Sequence, residues 1–390
     1  MRFIDLIRLA KPLNKNQKKA VEEISQYLQK EDVPEVINLI KQNKIAIGES
    51  SLNISKKLLK CESFYTLTQN TTDERITKYI DKLNATIIEK HREKYIGKFS
   101  KTAMEKITKY IGRDIEGFET IKKAITLQLF ATERIHILLL GDPGTGKTDM
   151  LRGASALHPI SSFGLGSGTT GAGLTITAKG KDVSKGLLPM ADGGICAIDE
   201  LNLMDQKERA SLYNAMEKGF VTYDKSGKHF RFEARVRVLA TANPKGDKFT
   251  AKDIAGLKKQ LPFDPALLSR FHLVFLIRKP NVEEFLKITS KILKNKKQKN
   301  NGDTDFIKRY IEIAENIEVT LPERFEKQIK EFVEKIKTNE DKFLIEVSPR
   351  IVIGFIRLAK ASARMKLKSK VEQEDIDLVI NIVNEGLKTE

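Results

Sequence analysis

Residues 135–148 read IHILLLGDPGTGKT, an apolar run that passes directly into a glycine-rich turn. The apolar run is typical of a buried strand, and the residues after it match the pattern G-x-x-x-x-G-K-[ST] without a substitution. Between a strand and a helix, such glycines let successive backbone N–H groups turn inward, and the helix points its positive end at the same place. The residues of this loop are Gly141, Asp142, Pro143, Gly144, Thr145, Gly146, Lys147 and Thr148.

The complete motif predicts a binding site for ATP and Mg²⁺. Lys147 would place its charge beside the β and γ phosphates, and the hydroxyl of Thr148 would bind the metal ion. Glycine-rich turns between a strand and a helix also occur without a ligand. The completeness of the motif in this context argues against that alternative.

Two later strands are predicted to bring polar side chains to the same site. The apolar run 195–198 is followed by Asp199 and Glu200, and the run 236–240 leads to Asn243. We assign Asp199 to Mg²⁺, Glu200 to activation of the attacking water, and Asn243 to the γ-phosphate and that water. Alone, two adjacent acids are usually a solvated strand end and Asn-Pro an ordinary turn, but the upstream loop favours the functional interpretation.

The pattern of apolar residues and turns divides the chain into four predicted parts. The class is α/β, with a P-loop ATPase domain whose parallel sheet has helices on both faces, preceded by a helical domain and followed by a helical lid. The predicted parts are a helical N-terminal domain at 1–105, the ATPase domain at 106–293, a polar linker at 294–303 and the lid at 304–390. The lid helices are predicted near 304–316, 322–337, 349–367 and 372–386.

Composition and charge limit the class further. With 40% hydrophobic and 31% charged residues the chain should fold, and no apolar run approaches the roughly 20 residues of a membrane helix. The two cysteines, Cys61 and Cys196, cannot form a four-ligand zinc site or a disulfide framework, so we expect a reducing, cytoplasmic setting and no structural zinc. A net charge of +17 suggests nucleic acid as a partner, although a lysine-rich bias could also produce it.

Beyond the loop, several segments resemble the minichromosome maintenance (MCM) helicases. They are ADGGICAIDE at 191–200, Met204-Asp205, Ala215-Met216-Glu217, LLSRF at 267–271, Tyr110-Ile111-Gly112 and 121–130. The resemblance covers residues from about 108 to about 385. It implies an AAA+ ATPase that assembles as a homo-oligomeric, hexameric ring and unwinds or moves along single-stranded or forked DNA, as a nucleoid-associated enzyme of replication.

The resemblance also implies roles for individual residues. Lys147 and Thr148 match the Walker A pair, Asp199 and Glu200 the Walker B pair, and Asn243 the sensor 1 residue. Arg270 resembles the arginine finger given to a neighbouring subunit, and Arg350 resembles the sensor 2 arginine that acts across the same interface. An arginine held against the γ-phosphate stabilises the charge of the transition state.

Two hairpin insertions are expected in the ATPase domain. Asp205 and Glu208 predict a capping box for a helix that ends near Gly219, and a hairpin with a turn at 225–228 follows. Lys225 matches the lysine at the tip of the family's pre-sensor hairpin, with Lys228 as its companion, and both are predicted to bind DNA. The alternation along the return strand places Arg231, Arg235 and Arg237 on one face.

The second insertion, between 175 and 187, is basic through Lys179, Lys181 and Lys185, and we expect it to be shorter than in the family. Only about 105 residues precede the ATPase domain, so we also expect a divergent member that lacks the usual N-terminal OB and zinc region. Such a trimmed member fits a mobile genetic element better than a cell's main replicative helicase, and the sequence leaves both origins open.

Two other functions remain open on the sequence. One is an AAA+ remodelling ATPase of the MoxR or magnesium-chelatase type, whose motifs around Asn243 look alike. The other is a nucleotide-binding initiator or loader platform without turnover. Stimulation of ATP turnover by DNA separates the first from a helicase, and the intact Glu200, Asn243 and Arg270 speak against the second.

Overall fold

The computed structural model describes residues 96–113, 115–179, 182–225, 228–246, 248–251, 253–279, 286 and 302–389. The helical domain predicted at 1–105 and the linker predicted at 294–303 lie largely outside the described residues. The chain separates into two compact units, Met1–Phe99 and Ser100–Glu390, and the second contains all the elements discussed below.

Within the described residues, the strands form one parallel sheet and two hairpins. They are β1 Ile137–Gly141, β2 Ser161–Leu165, β3 Ile176–Lys179, β4 Asp182–Lys185, β5 Ile195–Asp199, β6 Phe220–Lys225, β7 Lys228–Glu233, β8 Arg237–Ala242 and β9 Leu273–Ile277. The sheet has the order β2-β5-β8-β1-β9 with every pairing parallel. Every residue of β1, β5 and β8 is buried, as expected for parallel strands covered on both faces, and the predicted α/β class is confirmed.

The helices before the lid cover the sheet and frame the insertions. They are α1 Ala103–Thr108, α2 Glu119–Leu129, α3 Lys147–Leu157, α4 Gly171–Leu174, α5 Leu187–Met190, α6 Gln206–Lys218, α7 Ile254–Lys259 and α8 Pro265–Leu268. The helix α6 ends as predicted at Gly219, whose φ of 80° favours glycine because a side chain strains that conformation.

The capping box predicted for α6 is wrong. Asp205 is the residue before the helix, but within the described residues its side chain makes no hydrogen bond to the first turn. The carboxylate of Glu208 instead lies against Gly171 in α4, so it is not placed to complete the box.

Both insertions are antiparallel hairpins, β3 with β4 and β6 with β7. They lie side by side, since the Lys185 ammonium is 6.0 Å from the ring centre of Phe232. One expectation about the β6–β7 hairpin is wrong. Arg237 does not share a face with Arg231 and Arg235 but is the buried first residue of β8. The polar partners described below explain why its charge is tolerated there.

The lid contains four helices, close to their predicted positions: α9 Gly302–Glu315, α10 Glu326–Thr338, α11 Pro349–Met365 and α12 Gln373–Leu387. Arg237 ties the lid to the sheet, because its guanidinium lies 3.2 Å from the Glu315 carboxylate at the end of α9. None of the described helices is long and apolar enough to cross a bilayer.

Candidate active site

The phosphate loop connects β1 to α3, and its shape depends on glycine. Gly146, the residue before α3, has a φ of 82°, and a Cβ there would lie 2.3 Å from Cδ1 of Ile115. No other residue fits without displacing Ile115. The first backbone N–H groups of α3 have no partner within the helix, so its start offers donors and a positive dipole end to an anion.

Lys147 is buried inside this loop. Its Nζ donates to the carbonyl oxygens of Gly141 at 2.9 Å and Asp142 at 2.6 Å, and lies 3.4 Å from Oγ1 of Thr145. Burial lowers the pKa of Lys147 to about 8, and the charges of Asp142, Asp199 and Glu200 oppose that shift. The ammonium is therefore held in the loop within reach of both predicted acids.

The carboxylate of Asp142 joins three strand ends. Its Oδ1 accepts from the backbone N–H of Phe249 at 2.9 Å, and its Oδ2 accepts from that of Lys279 at 3.3 Å. Phe249 follows β8 and Lys279 follows β9. Asp142, predicted as a phosphate-loop residue, thus uses its side chain to fix the neighbouring loops.

The two predicted acids lie at the end of β5 and share one partner on β8. Thr241 Oγ1 donates to Asp199 Oδ1 at 2.5 Å and accepts from the backbone N–H of Glu200 at 2.8 Å. Glu200 has a left-handed backbone, with φ at 53°. The next turn is pinned to β8 as well, because Asn202 Oδ1 accepts from the backbone N–H of Asn243 at 3.0 Å.

Because β5, β8 and β1 are neighbours in a parallel sheet, their carboxyl ends bring Lys147, Asp199, Glu200 and Asn243 to one place, which we call the nucleotide edge. Open α/β sheets bind ligands at these ends. The residues fit a magnesium nucleotide: backbone donors and an ammonium suit phosphates, and the oxygens of Asp199 and of the half-buried Thr148 are ligands that Mg²⁺ accepts.

Arg270 and Arg350 belong to a different region, which we call the arginine edge and define by Arg270, Arg350, Glu217 and Tyr213. The Arg270 guanidinium donates to Glu217 Oε2 at 2.9 Å and lies 4.7 Å from the ring centre of Tyr213. Its Nε is buried and has no hydrogen-bond partner among the described residues. Burial, and then the charge of Arg270, lower the pKa of Arg350 below its ordinary value, so the two guanidinium groups are neighbours.

The two edges lie at opposite ends of the strands. Arg270 comes three residues before β9, whose first residue, Leu273, pairs with Ile137 at the start of β1. The phosphate loop leaves the other end of that five-residue strand, about 16 Å away. An arginine side chain is shorter than this distance, so Arg270 does not reach the phosphate loop of its own chain.

Two buried histidines lie near the arginine edge, His136 and His272, and no sequence pattern predicts their burial or their hydrogen bonds. His136 Nδ1 accepts from the backbone N–H of Val238 at 3.1 Å, and its Nε2 lies 3.1 Å from the carbonyl of Met216. His272 Nδ1 accepts from the backbone N–H of His136 at 3.0 Å. Burial, followed by the charges of Arg357, Arg350 and Arg134, lowers the pKa of His272 to about 3. Both rings are neutral and join the starts of β1, β8 and β9.

A buried polar group around Arg237 is equally hidden in the sequence. Its Nη2 lies 2.6 Å from His158 Nε2 and donates to the carbonyl of Gly193 at 2.7 Å, in addition to its ion pair with Glu315. Burial lowers the pKa of His158, which keeps the ring neutral beside the guanidinium. His158 and Glu315 are 79 and 78 positions from Arg237 in the chain, so local patterns cannot link them.

Lys225 and Lys228 are paired residues at the end of the β6–β7 hairpin and are joined by a two-residue connection. Arg231 lies in β7, and its guanidinium is 3.5 Å from the carboxylate of Glu233. Arg235 lies two residues after β7, and its guanidinium is 2.7 Å from the carboxylate of Asp192. The hairpin therefore ends in two adjacent lysine positions, where the matched family position predicts a DNA contact.

Two family models match the chain. The MCM P-loop domain matches residues 92–296, and the MCM AAA-lid domain matches residues 305–387. The minichromosome maintenance protein MCM of Saccharolobus solfataricus is 31% identical over 77% of this chain and 47% of its own length. The DNA replication licensing factor mcm7-B of Xenopus laevis is 30% identical over 70% of this chain and 41% of its own. The chain thus spans about half the length of these relatives or less.

Proposed function

Because the chain belongs to the minichromosome maintenance family, we propose that it is an ATP-dependent DNA helicase or translocase that works in replication as a ring of identical subunits inside the cell. ATP and Mg²⁺ bind at the nucleotide edge. Glu200 activates the attacking water, and Arg270 and Arg350 of a neighbouring copy complete the site. Such a head-to-tail contact closes into a ring when its rotation allows, and a hexamer is the ring size we propose.

The separation of the two edges is the observation that carries this proposal. The Arg270 guanidinium is held by contacts with Tyr213 and Glu217, and it lies at the other end of β1 from its own phosphate loop. The Arg270 side chain is 19% exposed and has the Arg350 guanidinium as a neighbour, so the two charges are suited to an anion brought by another molecule. A neighbouring copy would bring that anion as the γ-phosphate of its bound nucleotide.

DNA is proposed as the polyanion that the hairpins contact. Lys225 and Lys228 occupy directly paired positions, and like charges placed opposite each other weaken a hairpin. Phosphates between the two strands' ends would offset that repulsion. The net charge of +17 favours the same class of partner.

Mixing two inactive variants tests the shared site. Lys147→Ala removes the phosphate contact from the subunit that holds the nucleotide, and Arg270→Ala removes the guanidinium from its neighbour, so each variant alone should hydrolyse ATP very slowly. In mixed rings, intact pairs form wherever an Arg270→Ala subunit is completed by a Lys147→Ala neighbour, and turnover should recover to about a quarter of the wild-type rate. No recovery on mixing, with mixed assembly verified by mass, would contradict the proposal.

Single-stranded or forked DNA separates the helicase from a remodelling ATPase. DNA should stimulate ATP turnover by the wild-type chain, and the extent of stimulation should fall with added salt because phosphate contacts release counterions. A remodelling enzyme would show the same turnover with and without DNA. A Glu200→Gln variant that turns over ATP like the wild type would instead support the platform function.

A further inference from the structure

The geometry assigns Thr241 as a positioning residue that fixes both acids of the nucleotide edge through one hydroxyl group. Thr241 lies on β8, and its side chain is almost completely buried, at 1% exposure. This inference rests on the proposed ATPase function. It adds a residue that lies outside the phosphate loop and is neither of the two acids.

The directions of the two hydrogen bonds follow from the chemistry of the partners. A backbone N–H can only donate, so Oγ1 accepts from Glu200 at 2.8 Å. An ionised carboxylate can only accept, so the hydroxyl proton goes to Asp199 Oδ1 at 2.5 Å. A hydroxyl has one proton, so Thr241 uses its single donor on one acid and an acceptor site on the other.

The two bonds act on different parts of the acids. On Asp199 the bond fixes the side chain and engages one of the two carboxylate oxygens, which sets the orientation of the carboxylate toward Mg²⁺. On Glu200 the bond fixes the backbone, whose φ of 53° is unfavourable for a residue with a Cβ and needs support from its surroundings. The side chain of Glu200 leaves the strand in a direction that this backbone determines.

The position follows from the register of the sheet. Ile198 pairs with Ala240 in the parallel ladder of β5 and β8, so Thr241 and Asp199 are the next residues on adjacent strands. Asn243, two residues further along, donates its N–H to Asn202. The end of β8 thus supports the chain at three places where β5 ends: the carboxylate of Asp199, the backbone of Glu200 and the turn at Asn202.

Thr241→Val tests the assignment, because valine keeps the shape and removes the hydroxyl. We expect the Mg²⁺ concentration for half-maximal ATP turnover to rise by about 10- to 100-fold, with a lower kcat, since partners of metal ligands act at this scale. Binding of a fluorescent ATP analogue in EDTA should stay at the wild-type level, because the phosphate loop is untouched. Thr241→Ser should restore both the Mg²⁺ dependence and kcat.

Ser362→Ala is the matched control, since Ser362 Oγ donates to the buried carboxylate of Asp375 in the lid at 2.6 Å. It removes the same kind of bond and should leave the Mg²⁺ dependence unchanged. If Thr241→Val does not fold, Thr241→Ala takes its place with the same expectation. Wild-type Mg²⁺ dependence in the folded variant, or no rescue by Thr241→Ser, would overturn the inference alone. A wild-type chain that binds no ATP would overturn the proposed function with it.

Discussion

The nucleotide edge and the arginine edge are built in different ways. At the nucleotide edge, backbone N–H groups and short side chains come from the ends of adjacent parallel strands, and hydrogen bonds hold Lys147, the carboxylate of Asp199 and the backbone of Glu200. At the arginine edge, long side chains from α6, the segment after α8 and the start of α11 meet around the carboxylate of Glu217, and the buried Nε of Arg270 has no hydrogen-bond partner in the part of the chain that the structure describes. All residues of the first region come from one chain, and the second region acquires its proposed role only next to another copy.

Arg270→Ala should produce the largest effect on this comparison. We expect ATP turnover to fall by about 10³- to 10⁵-fold, the range found for arginines that stabilise phosphoryl transfer. Binding of ATP to the isolated subunit should be unaffected, because Arg270 lies at the opposite end of β1. Turnover is measured at saturating ATP together with the affinity for a fluorescent nucleotide. Arg324→Ala, in the lid, serves as the control and should keep wild-type turnover. Full ATP turnover by Arg270→Ala would contradict the proposed role of the arginine edge in hydrolysis.

Acid should weaken the fold through the histidines between the strand starts. The pKa of His272 is about 3 in the folded chain against an ordinary 6.5, so its contribution to stability is complete above pH 6.5 and is lost as pH falls toward 3. From pH 6.5 to 5 this amounts to about 2 kcal/mol of unfolding free energy. Urea titrations at several pH values measure it.

His272→Asn should reduce this pH dependence. The control is His229→Asn, which changes an exposed histidine on β7 and should leave the slope as in the wild type. An unchanged slope in His272→Asn would show that this ring does not carry the acid sensitivity, and that the arginine edge tolerates a charged histidine beside it.

Alkali should weaken nucleotide binding at the other edge. The free chain has a Lys147 pKa of about 8, whereas a lysine paired with phosphates stays protonated, so binding above pH 8 requires uptake of a proton. The affinity for ATP should therefore fall by up to about tenfold per pH unit above 8. Calorimetric titrations from pH 7 to 9 test this. A Lys147→Ala variant should bind weakly at every pH, and a similar slope in that variant would assign the effect to another group.

Lys225→Ala with Lys228→Ala should give the smallest effect, on DNA rather than on nucleotide. Each phosphate contact contributes about one unit to the slope of log affinity against log salt, so the double variant should lose about two. The measurement is fluorescence anisotropy with single-stranded DNA at several salt concentrations. Lys327→Ala with Lys330→Ala, which removes two exposed lysines of α10 that pair with glutamates, should leave the slope intact.

The contents of the nucleotide edge could be predicted because each part is local in the chain. The phosphate loop is eight consecutive residues, Asp199 directly follows the apolar run 195–198 and Asn243 comes three residues after the run 236–240, so the rule that parallel strands share a carboxyl edge brings them together. Thr241 lies two residues before Asn243 in the sequence, but its bonds to both acids depend on the register of β5 and β8 and on the backbone of Glu200, which no sequence pattern specifies.

The arginine edge and the buried polar groups could not be predicted in this way. Arg237 continues the alternating pattern of the hairpin strand, but its burial depends on His158 and Glu315. His158 lies between α3 and β2, and Glu315 is the last residue of the lid helix α9. His136 and His272 are 136 residues apart and pair only because β1 and β9 start side by side. Alternation predicts which face a side chain takes, but not whether distant partners will neutralise it there.

Gly219 is the single residue between helix α6 and strand β6 of the hairpin. The helix α6 carries Glu217, which holds Arg270, and the strand β6 begins immediately after this glycine. The helix that carries the partner of Arg270 and the hairpin are therefore joined by a single residue. In the proposed ring, a force on DNA held by this hairpin would then change the position of Arg270 in the nucleotide site of the neighbouring copy.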